Sequence, residues 1–222
     1  MPFDELKGII MLTLPTHETT LPASGETVDI QPLVVRDEKA IAAAKRAGSK
    51  LDAYKTFLNI IQEKTSIDVN KLSEVDLIHC MLHLRKISIG SNVNVNFVCP
   101  YTKQRVDVKL NLNDIQLKGN TKSKTIKKEN FIVKLSLPTK VKSIESGITS
   151  IQTKEENIVM AEIPLSDRKE IVDSLPINLK NDIVENLKDI INYSHNIEYK
   201  TNQPHSIPLR SAEDFFTLFF VM

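Results

Sequence analysis

Tryptophan is absent from this 222-residue chain and aromatic residues make up only 5% of it, which leaves few of the large side chains that usually anchor tight, dedicated interfaces. Glycine is scarce as well. Six residues leave little room for a phosphate-cradling loop, and no nucleotide-binding glycine pattern occurs. Two cysteines, Cys80 and Cys99, make no disulfide framework, so a reducing, cytosolic setting is expected. An excess of one charge is missing too: with 29 basic and 28 acidic residues the net charge is +1, and bulk electrostatics supplies no general attraction to nucleic acid or an anionic membrane. Met1 to Leu14 contains Asp4 and Glu5 and only a short apolar run from Gly8 to Leu14. That run is too short for a membrane span and lacks the basic start of a signal peptide. No Ser-His-Asp order and no dense carboxylate cluster stands out, which disfavours an enzyme.

What is present is the composition of an ordinary globular protein, 41% apolar and 26% charged, long enough for one sizeable core or two small ones. The stretch from Leu72 to Ile115 organises the rest. Ser73 is a good N-cap with Asp76 three residues on, and Val75, Ile78, Met81, Leu82, Arg85 and Ile87 follow at helical spacing until Gly90 stops the helix. Val93, Val95 and Phe97, then Val106, Val108, Leu110 and Leu112, alternate with polar residues as in two half-buried strands. The connection Cys99-Pro100-Tyr101-Thr102 has the outline of a zinc knuckle, but Thr102 occupies the second ligand position, so no metal is expected.

Before this stretch, Pro15, Pro22, Gly25 and Pro32 lie among threonines and single leucines, which predicts an extended docking arm with turns and short edge strands. A helical run begins at Asp37 and is interrupted at Gly48-Ser49 before Leu51, Tyr54, Phe57, Leu58 and Ile61 resume it. After the hairpin, lysines from Lys118 to Lys128 mark a polar connection around Gly119-Asn120. A strand is expected at Phe131–Leu137, a short helix at Ile144–Ile151, and a strand at Asn157–Ile163, where a helix is nearly as plausible. Ser166 is expected to cap a helix that runs to Leu175, and Pro176 to separate it from a second helix carrying Leu179, Ile183, Leu187, Ile190 and Ile191. The tail repeats the hairpin in weaker form, Glu198 to Pro204 lining up with Asn96 to Thr102. Phe215-Phe216-Thr217-Leu218-Phe219-Phe220 is too apolar to be left in water and should pack against the body or a partner.

Four features bear on chemistry. Cys99 reads as a small apolar residue at a strand end, and His79 and His83, four apart on the central helix, as a partly packed pair without the glutamate of a zinc-hydrolase helix. Asp76 and Arg85 read as a buried polar link. Eight lysines between Lys118 and Lys142 face only Glu129, but Phe131 is the lone aromatic among them, so a solvated loop is favoured over a nucleic-acid track.

Several segments, in this order, resemble the small baseplate hub assembly proteins of T-even-like contractile-tailed bacteriophages. They are Leu21 to Gly25, Pro32 to Lys39, Asp76 with Leu84-Arg85 and Ser88-Ile89-Gly90, the hairpin at Cys99 and Thr102, Thr201 and Pro204, Ile207-Pro208-Leu209, and Phe215-Phe216. Members of that family often carry cysteine pairs at the two hairpin turns; here both pairs are incomplete, and neither zinc nor any other cofactor is expected. The resemblance implies a non-enzymatic protein, chaperone or minor subunit, that helps build the hub through contacts with tail and baseplate hub proteins in the host cytoplasm. Presence in the finished baseplate and self-association are left open, with no membrane partner and nucleic acid disfavoured. The expected fold is α+β, a helical core with two β-hairpins resembling degenerate zinc ribbons, divided as 1–117 and 118–222 around a shared core. Leu21, Pro22, Phe215, Phe216, Phe219 and Phe220 are the candidate partner-binding residues. The alternative is a nucleic-acid-binding regulator that uses the lysine-rich loop.

Overall fold

A computed structural model describes residues 14–137 and 144–217. The chain opens with an antiparallel hairpin, β1 (His17–Thr20) and β2 (Thr27–Ile30), whose turn is closed by Leu21 and Gly25, the glycine at φ +79°. Val28 and Ile30 point inward while Thr27 and Asp29 face solvent, as period-2 alternation requires. Helix α1 (Val35–Ala47) starts where the Asp37 carboxylate accepts the Val34 amide at 2.9 Å, and α2 (Lys50–Thr65) starts at a capping box between Ser49 and Asp52. The interruption expected at Gly48-Ser49 is therefore a true helix boundary. Lys64 of α2 reaches back to Asp37 at 3.0 Å, and both side chains are buried. A pair this well shielded ties α1 to α2 and is costly to break from one side.

Helix α3 (Glu74–Ile89) is capped by the Ser73 hydroxyl, which accepts the Asp76 amide, and stops at Gly90, whose φ of +109° suits glycine. Val75, Ile78, Cys80, Met81, Leu82 and Leu84 are all buried, so apolar residues surround much of the helix, as in a central core helix. The proline-rich arm lies against it. The Asp76 carboxylate accepts the amides of Ala23 and Ser24 at 2.7 and 3.1 Å, and Leu21 is 0% exposed. Turn amides left without partners are expensive near the interior, and a carboxylate supplies the strong form of acceptor. Asp76 is thus committed to the arm, and Arg85 donates to the Gly90 carbonyl; the polar link expected between these two side chains is replaced by separate links to backbone.

Past Gly90, β3 (Asn92–Val98) and β4 (Arg105–Asn111) form the first predicted hairpin, with Phe97 opposite Val106. The lysine-rich connection is more ordered than the sequence suggested. β5 (Leu117–Lys118) is followed by β6 (Ser123–Lys128), the outer strand of a four-stranded antiparallel sheet with β7 (Phe131–Ser136), β8 (Ile148–Gln152) and β9 (Asn157–Val159). The Ile144–Ile151 stretch divides into a single turn, α4 (Ile144–Gly147), and the start of β8, because Ile148 and Ile151 are drawn into the sheet core. Helix α5 (Leu165–Asp173) begins after Pro164, and Ser166 lies inside it, donating to Asp167, in place of the capping role expected of it. Pro176 precedes α6 (Ile177–Leu187), and β10 (Asn192–Tyr193) pairs with β5. The second predicted hairpin, β11 (His195–Lys200) and β12 (Pro204–Leu209), leads into α7 (Ala212–Phe216).

The fold is α+β, and its buried side chains gather differently from the division expected at 117/118. The largest cluster joins residues from Leu21 to Ile115 with residues from Tyr193 to Phe216, while a second holds Ile126 to Ile190 between the β6–β9 sheet and helices α5 and α6. The chain leaves its first core, builds a second, and returns. The Glu74 carboxylate of α3 accepts the Ala212 amide at 3.1 Å, fastening the returning α7 to the central helix.

Candidate functional site

The two hairpins meet at the Cys99–Thr102 connection. The Cys99 amide donates to the Gln104 carbonyl at 2.8 Å and the Lys103 amide to the Cys99 carbonyl at 2.9 Å, with Lys103 at φ +59°. This closure turns the sulfur inward. Sγ receives the Thr102 amide at 3.4 Å and lies 3.3 Å from the Tyr199 hydroxyl of β11. Burial pushes the thiol up, but the Thr102 side chain, the Tyr199 hydroxyl and the amides of Thr102 and Tyr101 outweigh it and bring it down to about 7. The Tyr199 phenol moves the other way, to about 12, because it is hydrogen-bonded to the sulfur and is itself desolvated.

Rings extend this junction outward. Phe97 meets Tyr199 edge-on with centroids 5.0 Å apart, and His205 is stacked between Tyr199 and Tyr101. These are favourable aromatic separations. Phe97 and Tyr199 are the residues that the internal sequence match had put in register, and the fold brings them into contact. Tyr101, 70% exposed, forms the outer end of the ladder. Cys99 is thus a packed strand-end residue, and among the described residues no group of three or more His, Cys, Asp or Glu side chains is placed to hold a metal ion.

The histidines of α3 are absorbed into the fold. One His79 ring nitrogen lies 2.8 Å from the Thr19 hydroxyl and the other 2.8 Å from the Tyr193 hydroxyl, so the ring links β1 to β10 across the helix. His83 packs against it with Nε2 buried and without a partner among the described residues. Burial first, then the neighbouring His83 charge, holds His79 below the usual histidine range; burial and His17 do the same to His83.

The candidate partner residues are distributed otherwise than expected. Leu21, Phe215 and Phe216 lie in the interior of the first cluster, Phe216 against the rings of Phe57 and Tyr54 at 5.2 and 5.3 Å. Pro22 is half-buried, and Phe219 and Phe220 lie outside the described residues. The apolar tail start packs on the body. In the lysine-rich stretch, Lys124 pairs with Asp189 and Lys128 with Asp182, both across to the α6 region. Those two cations are engaged within the fold, and Lys140 and Lys142 lie outside the described residues.

Sequence reasoning missed a groove of about 520 Å³ at the seam between the two clusters. Its apolar lining comes from Ile144 of α4, Val184 and Leu187 of α6, and Ile190 and Ile191 beyond; exposed Lys118, Lys188 and Arg210 border it, with Asn192 and Ser194. Four separate segments contribute, so no linear motif announces it. Its volume falls in the range of ordinary ligand sites, roughly 300–1,000 Å³. Apolar floor and cationic border equip it for binding.

Residues 14–217 match the family model described as T4 bacteriophage base plate protein. The chain belongs to that family. The match runs from the arm before β1 to the residue after α7, so both clusters and both hairpins of this base plate family member fall inside it. No curated protein and no solved structure matches the chain. Membership associates the protein with the virion baseplate and with other tail and baseplate proteins as its setting. Among the described residues no helix is long and apolar enough to cross a membrane.

Proposed function

We propose that the protein is a non-enzymatic assembly factor or minor subunit of the baseplate hub, acting through protein–protein contacts while tails are built in the host cytoplasm. The observation that carries this reading is the family match over residues 14–217; the ordered resemblance to hub assembly proteins narrows it from the baseplate to the hub. The surface supports protein contact over nucleic acid. Lys124 and Lys128 are engaged by Asp189 and Asp182, and the ligand-sized concavity is apolar at its floor, which suits side chains better than phosphates.

The test is affinity capture of the full chain from infected cells at low and high salt, together with mass spectrometry of purified virions. Hub or tape-measure proteins recovered at both salt concentrations are the expected result, since an apolar interface survives salt that releases phosphate-bound partners. Detection in virions assigns the subunit role, and absence from them the chaperone role. Recovery of DNA or RNA that falls steeply with salt, and is abolished by Lys122→Gln and Lys127→Gln, overturns the proposal in favour of a nucleic-acid-binding regulator. Sedimentation of the purified chain reads self-association directly.

A further inference from the structure

We propose that the groove between α4, α6 and β10 docks an acidic peptide segment of another base plate protein, with apolar side chains in the floor and Asp or Glu residues against Lys118, Lys188 and Arg210. This rests on the protein-contact reading above and names the chemistry of the partner.

Part of the floor is held by the fold, since Ile190 is buried in the second cluster and Ile144 and Leu187 pack against it. Helix α6 already buries Leu179 and Ile183 in the second cluster, yet Val184 remains 38% exposed beside Ile144 and Leu187. An apolar concavity rimmed by polar groups on a water-facing surface is the usual mark of an interaction site. At about 520 Å³ it has room for more than one aliphatic or aromatic side chain.

Charge decides the occupant. Lys118, Lys188 and Arg210 are exposed, and none enters an ion pair among the described residues. The carboxylate next to Lys188 in sequence, Asp189, is taken by Lys124. Among the described residues the groove lining thus holds three cations and no carboxylate, which attracts carboxylates and discourages basic segments. The three cations come from three separate segments, a distribution that fits carboxylates spaced along a peptide better than the single headgroup of a fatty acid. Aliphatic lining gives nucleic acid nothing to stack on.

The test places the photo-crosslinking residue benzoylphenylalanine at Val184 in the full chain, with control probes at Ile177 and Tyr101, which are 80% and 70% exposed away from the groove lining. Cross-linked peptides from infected cells are then sequenced by mass spectrometry. The expected product at Val184 is a segment of another base plate protein with an aliphatic or aromatic residue flanked by Asp or Glu. Combining Lys118→Glu, Lys188→Glu and Arg210→Glu should leave the circular dichroism and thermal transition intact, because all three side chains are exposed, and lower the yield about tenfold, as three surface ion pairs turned repulsive would. A nucleic acid, a fatty acid, a second copy of this chain or a peptide without carboxylates at Val184 overturns the inference, as does an unchanged yield in the charge-reversed variant. Base plate proteins captured from Ile177 or Tyr101 but not from Val184 sink the groove while leaving the protein-contact reading intact. Capture from none of the three probes removes that reading as well.

Discussion

Replacing Phe216 by alanine separates a core role for the C-terminal phenylalanines from a partner-facing one. Phe216 is 2% exposed and lies against the rings of Phe57 and Tyr54, with centroids 5.2 and 5.3 Å away. Truncation removes a fully buried aromatic from between two elements far apart in sequence, and such losses cost about 3–5 kcal/mol once the cavity is counted. Against a total stability on the order of 5–15 kcal/mol that is a large share. With a urea dependence of about 2 kcal/mol per molar, the unfolding midpoint should fall by roughly 1.5–2.5 M. The assay is urea unfolding followed by circular dichroism, with Val35→Ala, at a position 65% exposed, as a surface control expected to stay near wild type. A Phe216→Ala protein with an unchanged midpoint but lost recovery of tail proteins would refute the packing argument and return Phe216 to an interface.

Two further outcomes follow from local geometry. Gly119 sits at φ +83°, and an added Cβ would lie 2.7 Å from the Asp189 carbonyl oxygen and from backbone atoms of Ile190; Gly119→Ala should therefore destabilise by more than about 1 kcal/mol, read as a lowered thermal midpoint, and an unchanged midpoint would mean that the strand seam yields freely. His79 and His83 are both held below the usual histidine range by burial and neighbouring positive charge, so the unfolded chain binds protons more readily than the native one as pH drops below about 6.5. Their contribution is complete above that value and is lost as pH falls through the depressed native range; thermal midpoints at pH 7.5, 6 and 5 should decline in that order, less steeply in His83→Asn, and a rise on acidification would refute the assignment.

Local chemistry made much of the fold legible. Ser73 and Gly90 bracket α3 because a hydroxyl cap and a positive-φ stop are written in the flanking residues, and Ser49 starts α2 with the same kind of hydroxyl cap. The first hairpin could be read from period-2 alternation, and the second from its match to the first. What stayed hidden depends on partners distant in sequence. Nothing beside Leu21 reveals that Asp76 will hold the turn after it, and an apolar residue in a proline-rich arm has the same signature whether it meets its own core or another chain. Lys124 and Lys128 looked solvated because Asp189 and Asp182 lie far along the sequence. The groove was least legible of all, since its lining is drawn from separate segments none of which is unusual alone.

The excursion of the chain between its two visits to the first core has a consequence for biosynthesis. Residues from Leu21 to Ile115 leave the ribosome well before Tyr193 to Phe216, which complete the same cluster, and at roughly 5–20 residues per second the delay is on the order of ten seconds. During that interval the faces awaiting Ile197, Phe215 and Phe216 stand open, and the Glu74 carboxylate lacks the Ala212 amide. Contacts of such long sequence separation close slowly because loop-closure entropy must be overcome first. The intervening sheet and helices can form meanwhile, which shortens the effective loop and brings β10 back beside β5. A nascent chain halted after Ile191 should consequently bind a hydrophobic-surface dye, and release through Phe216 should abolish that binding.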